Sequence, residues 1–154
     1  MMEDLRELYQ EVILDHGKHP RNYGKPDDYN HTAHGHNPMC GDTLVLYLKT
    51  DETNTIRDVA FKGEGCAISV ASASLMTEIL KGKTVDEAEK LFTAFHDMCT
   101  RDDAERPTDV DEEALERLEV LSGVRDFPVR VKCATLAWHT MDAAVHEKGE
   151  ISTE

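Results

Sequence analysis

Cys40-Gly41-Asp42, Cys66 and Cys133 are the residues of this chain whose types could do chemistry together. Three thiolates and one carboxylate make a complete tetrahedral donor set for a soft or borderline divalent metal such as zinc. The carboxylate is the hardest and weakest of the four donors. A site built only for stability more usually closes with a fourth Cys or a His, so this set suits a centre whose coordination can open. Spacing alone does not establish the site. The thiols lie far apart in sequence, and scattered cysteines of an intracellular protein are commonly buried as small hydrophobes.

The flanking residues strengthen the case. Cys66 and Cys133 fall at the starts of expected helices, where unpaired N–H groups and the helix dipole favour a thiolate. Cys40 and Asp42 precede the first strong strand, and Gly41 between them lets the backbone fold tightly enough to aim both side chains at one centre.

The elements that must position these donors are readable from periodicity. Leu5, Leu8, Tyr9, Val12 and Ile13 form one apolar helical stripe, stopped by Gly17 and Pro20. Arg21 to Pro38 reads as a polar, turn-rich segment with a short edge strand around Thr32 to Gly35. Leu44 to Leu48 and Ile56 to Phe61 flank a turn at Asp51 to Asn54 and predict a hairpin. Ala67 to Leu80 reads as a helix whose Ala and Ser residues allow close packing, ended by Gly82. Thr84 with Glu87 makes a capping box for a helix to about Met98. An acidic, turn-prone stretch covers Arg101 to Pro107. Asp109 with Glu112 predicts a second capping box, for a helix ending near Ser122-Gly123. The last helix is expected from Val131 or Lys132 to about Lys148. Its buried stripe comprises Ala134, Ala137, Trp138, Met141, Ala144 and Val145. No repeat, linker or second domain is visible. The fold class is therefore α+β: one domain over 1–154, with a small antiparallel sheet of about three strands packed against several helices.

The chain has 154 residues and a formal net charge of −14, which excludes a basic nucleic-acid footprint. No apolar stretch approaches the roughly 20 residues of a membrane span. Met1-Met2-Glu3-Asp4 opens directly into an amphipathic pattern without a signal peptide. A cytoplasmic location and reduced thiols are expected. The acidity serves solubility, suits a saline host, or attracts a basic patch on a partner. Much of it lies in Arg101 to Glu119, away from the candidate site.

The same residues carry a resemblance. Asn37-Pro38-Met39-Cys40-Gly41-Asp42 resembles the first cysteine motif of the IscU/NifU/SufU iron–sulfur cluster assembly family. Phe61-Lys62-Gly63-Glu64-Gly65-Cys66-Ala67-Ile68-Ser69, with Ala71-Ser72-Ala73-Ser74, resembles the second. Pro128-Val129-Arg130-Val131-Lys132-Cys133-Ala134 resembles the third. Leu8-Tyr9, Asp15-His16 and Pro20-Arg21-Asn22 are similar to the family's amino end. The match spans nearly the whole chain outside Phe92 to Leu118. The family's fold, a small antiparallel sheet with packed helices, agrees with the element order.

Two features resemble the SufU branch. Lys132 stands where IscU-type scaffolds usually carry a His, and a protonated lysine cannot donate to a metal. The segment at about 92–118 resembles the SufU insertion. The resemblance implies zinc held by Cys40, Asp42, Cys66 and Cys133. It also implies a SufS-type cysteine desulfurase as partner, which helps open the zinc site, and downstream SUF scaffold components as acceptors. Cys40 is the expected persulfide acceptor, because exchange at sulfur needs an accessible thiolate. The alternative is a scaffold that builds and transfers a [2Fe–2S] cluster, or holds iron, on the same ligands. A purely structural zinc module fits less well, given the carboxylate and an adequate core.

Other reactive residues have plainer readings. Cys99 has no matching motif and is expected as a semi-buried or exposed bystander. His31, His34 and His36 read as loop residues. His16 and His19 close the first helix, where a charged imidazole suits the dipole. Arg130 matches the SufU-type motif. Arg130 and Lys132 read either as solvated charge or as an electropositive edge that stabilises thiolate and contacts a partner. Trp138 is expected in the core.

Overall fold

The computed structural model describes residues 2–101 and 107–152 and, in the first helix, side chains from Tyr9 onward. The side chains of Leu5 and Leu8 and most of the turn at Arg101 to Pro107 lie outside the described residues. The elements run α1 (Met2–Lys18), β1 (His31–Asn37), β2 (Asp42–Thr50), β3 (Ile56–Glu64), α2 (Ala67–Leu80), α3 (Val85–Thr100) and α4 (Glu112–Leu118). A 3-10 helix (Glu119–Asp126), α5 (Pro128–Val145) and β4 (Glu150–Ser152) complete them.

The sheet has four strands in the order β3-β2-β1-β4. The three antiparallel strands match the expectation; β4 is an addition, pairing parallel to β1. Thr32 to Gly35 is therefore part of a longer inner strand rather than an edge. His31, His34 and His36 sit on that strand, not in a loop. Its weak sequence signal has a physical reason: the inward row is Ala33, Gly35 and Asn37, while Thr32 and His34 face out. Those small or polar inward residues lack the usual strand-forming side chains. In β2 the row is conventional, with Leu44, Leu46 and Leu48 inward.

α2 occupies the position its expected range described, packed among α1, α5 and β3. Its small residues make the joints. Ser74 Oγ is hydrogen-bonded to His16 Nδ1 at 2.7 Å and accepts the Arg21 N–H at 2.9 Å. Ser72 Oγ donates to the Ala134 carbonyl at 2.5 Å, fixing α5 one residue beyond Cys133. His16 is buried rather than a solvated helix-end cation, and burial, aided by Arg21, holds its pKa below the usual imidazole value. Trp138 is fully buried in a core shared by the sheet and the helices.

The capping box of Thr84 and Glu87 is present. The second expected cap moves by two residues: Asp111, not Asp109, accepts the Ala114 N–H and starts α4. That helix ends at Leu118, and a 3-10 helix carries the chain to Asp126. Cys99 is fully buried, contrary to its expected exposure, and burial pushes its pKa up to about 12. Such a thiol is inert packing.

Candidate metal centre

Three of the four candidate donors, Cys40, Asp42 and Cys133, meet at one end of the sheet, where the β1–β2 hairpin packs against α5, and Cys66 at the start of α2 is hydrogen-bonded to Asp42. β1 and β2 are in register with Asn37 opposite Asp42, so both side chains face inward from neighbouring strands. The loop Pro38 to Gly41 turns between them, and Gly41 has a φ of 71°, a left-handed conformation that glycine adopts without strain. That turn presents Cys40 half-buried at the rim while Asp42 is 1% exposed beneath it.

Cys66 is the N-cap of α2, as its sequence position predicts; its sulfur accepts the Ser69 N–H at 3.4 Å. Its own N–H donates to Asp42 Oδ1 at 2.9 Å. Gly65 permits this approach, because a Cβ there would lie 2.5 Å from that oxygen.

Cys133 is not at a helix start. α5 begins five residues earlier, at Pro128, which is favoured in a first helical turn. Its sulfur is instead fully buried, and burial together with Cys40, Asp42 and Cys66 raises its pKa. The Cys133 thiol donates to Cys40 Sγ at 3.1 Å. The ligand atoms of Cys40, Asp42 and Cys133 all lie within 4.8 Å of one another. That group does not include Cys66, which is tied to it through its N–H on Asp42 Oδ1.

Sequence reasoning missed the role of Asn37. Its Nδ2 donates to Asp42 Oδ2 at 3.0 Å and to Cys133 Sγ at 3.4 Å. An extended strand through Asn37 would have revealed it, by placing a polar residue in the inward row after Ala33 and Gly35. Arg130 is exposed on the first turn of α5, three residues before Cys133, and borders an apolar hollow with Ile13, Ile68 and Phe127. Met39, Phe127 and Val129 are also exposed, on the cysteine loop and the start of α5. A second group of potential ligands among the described residues, Glu89, Asp142 and His146, is a half-exposed ion-pair set between α3 and α5.

The donor chemistry fits a thiophilic divalent cation: the Cys40 and Cys133 sulfurs and the Asp42 carboxylate share one small volume, with an amide orienting two of them, and Cys66 is tied to the same carboxylate by its N–H.

The NifU-like N-terminal domain model matches residues 8–134. The chain is 40% identical over 142 residues to the zinc-dependent sulfurtransferase SufU of Bacillus subtilis, covering 92% of each chain. It is 40% identical over 144 residues to the iron–sulfur cluster assembly scaffold protein IscU of Streptococcus pyogenes, covering 94% of this chain and 86% of that one. Among solved structures it is similar to FiSufU of Fervidobacterium islandicum AW-1, a candidate iron–sulfur cluster assembly scaffold for the SUF system. That likeness has a TM-score of 0.77 at 34% identity and covers 91% of this chain and 98% of that one. With its three cysteine motifs linked through Asp42 and Cys133, this chain belongs to the family of NifU-like N-terminal domains, among the IscU and SufU proteins of iron–sulfur cluster assembly.

Proposed function

We propose that this protein is a zinc-dependent sulfur acceptor that works in the cytoplasm with a SufS-type cysteine desulfurase. Cys40, Asp42, Cys66 and Cys133 would hold the zinc. Bound zinc would keep the thiolates deprotonated and shielded from stray oxidants.

The observation that carries the reading is the asymmetry of the three thiols. Cys133 is buried inside α5 and Cys66 caps α2, whereas Cys40 lies half-buried on a Gly-flanked turn beside exposed Met39. Only Cys40 can move toward a partner without unwinding a helix. Its thiolate would attack the outer sulfur of the desulfurase persulfide. One S–S bond forms at Cys40, the partner's S–S bond breaks, and the partner cysteine leaves as thiolate. No external oxidant or reductant is needed.

Exposed Met39 beside Cys40, and exposed Phe127 and Val129 at the start of α5, would supply apolar contact for a partner, and Arg130 on the same turn of α5 would supply a cation. The sulfur would pass to downstream SUF scaffold components. We read Phe92 to Leu118 as the insertion of the SufU branch. Lys132, one residue before Cys133, offers no fourth imidazole ligand for a cluster.

The scaffold reading stays as a second possibility because the Streptococcus pyogenes relative carries that name at equal identity. Mass mapping after incubation with desulfurase and cysteine separates them. The relay reading predicts 32 Da, about one sulfur, on Cys40 and none on Cys40→Ala. A stable coloured cluster on anaerobic addition of iron and sulfide, without persulfide on Cys40, would favour the scaffold.

A further inference from the structure

Asn37 is 0% exposed, and its side chain is arranged at a visible disadvantage. Both acceptors of its Nδ2 are candidate ligands, Asp42 Oδ2 and Cys133 Sγ. The reverse amide flip would aim Oδ1 at a carboxylate and a sulfur, so the neighbours fix the orientation. In that orientation Oδ1 is buried without a hydrogen-bond partner. An apolar residue of the same size would fill the space without that orphan atom, so packing alone does not call for an asparagine.

The amide joins two separate pieces of the centre. Asp42 belongs to the β1–β2 hairpin and Cys133 to α5. With Cys66 N–H on Oδ1 and Asn37 on Oδ2, each carboxylate oxygen holds one protein donor and keeps another lone pair. Rotation of the carboxylate is thereby blocked from both sides. We propose that Asn37 is a positioning residue of the metal centre, which locks Asp42 against Cys133 and so sets the affinity for zinc and its rate of release. This rests on the reading that Cys40, Asp42, Cys66 and Cys133 hold the metal.

The test is zinc affinity and release, measured by competition with a chromophoric chelator. It uses the full chain as wild type, Asn37→Leu and Asn37→Ala, each also with Asp42→Ala. Hydrogen-bond partners of ligands commonly contribute about 10–100-fold in affinity. Both Asn37 variants should lose that much and release zinc faster. The loss should shrink to a few-fold when Asp42 is already Ala, because the main acceptor is gone. In cobalt-loaded Asn37→Leu the d–d absorption should shift while the sulfur-to-cobalt charge-transfer bands stay, since all three thiolates remain.

Unchanged affinity in both Asn37 variants would overturn the proposal. So would equal losses in the two Asp42 backgrounds, which a merely structural role predicts. Loss of the fold in chelated Asn37→Ala, read by circular dichroism, would also overturn it. A wild-type chain that binds less than one zinc would instead bring down the ligand reading, and this inference with it.

Discussion

Cys133 Sγ and Cys40 Sγ lie 3.1 Å apart, one buried within α5 and the other on the hairpin turn. The contact places a helix-borne sulfur directly against one carried on a turn. Under the proposed function this would divide the labour of the centre: anchoring from α5 and α2, delivery from the turn.

The division predicts an order of alkylation. In chelated protein Cys40 and Cys66 are half-buried, while Cys99 and Cys133 are fully buried. Brief iodoacetamide treatment should modify Cys40 and Cys66 first, with Cys99 and Cys133 after them because burial holds both thiols protonated. Peptide mass mapping reads the order. Early labelling of Cys99 would contradict the structure.

Ligand assignment is checked by metal content. Cys40→Ala, Cys66→Ala and Cys133→Ala should each lose stoichiometric zinc, and chelation of the wild type should lower its thermal midpoint. Cys99→Ala should keep the metal and lose about 1 kcal/mol of stability from the vacated sulfur. Metal loss in Cys99→Ala with retention in Cys133→Ala would reverse the assignment.

Asp42→Ala should retain zinc on three thiolates, with water free to take the open position. It should also release zinc faster and transfer sulfur more slowly. The same change leaves the Cys66 N–H and one Asn37 N–H without their acceptor. Removing a buried acceptor costs roughly 1–3 kcal/mol, so chelated Asp42→Ala should have a lower urea midpoint than chelated wild type. Unchanged exchange kinetics would deny the carboxylate a role in opening.

Much of this centre was legible in sequence because its local signals are strong. Cys66 as helix cap, the Ala/Ser face of α2 and the β2–β3 hairpin all follow from short-range patterns. The misreadings share a cause. β1 is built from His, Thr, Ala and Gly, and only pairing with β2 and β4 makes it a strand. α5 starts at Pro128 because the chain leaves the 3-10 helix there, which moves Cys133 from a helix start to a buried second turn. Cys99 and His16 needed tertiary neighbours before their burial could be known.

Two histidines give a pH dependence of definite sign. Burial lowers the pKa of His16, with Arg21 next, and burial also lowers that of His139, with His96 next. The groups facing His16 include Glu78 and Asp15, which oppose the shift; Asp142 opposes it at His139. The unfolded chain takes up these protons as pH falls through about 6.5, while the folded chain resists. Their contribution is full above that pH and lost progressively below it. In chelated protein, the urea midpoint of wild type minus that of His139→Gln should fall between pH 7.5 and 5.5, roughly one unit either side of the free imidazole value. Titration of the acidic surface is common to both proteins and cancels in the difference. A difference that rose on acidification would contradict the burial argument.

The central claim is that the zinc-loaded centre receives sulfur. Its most direct test is the turnover of a SufS-type desulfurase on cysteine, with zinc-loaded and zinc-stripped protein compared side by side. The account predicts many-fold stimulation by the loaded protein, little by the stripped protein, and none by Cys40→Ala, which lacks the accepting thiol. Equal stimulation by the stripped protein, together with ready formation of a stable iron–sulfur cluster, would contradict it.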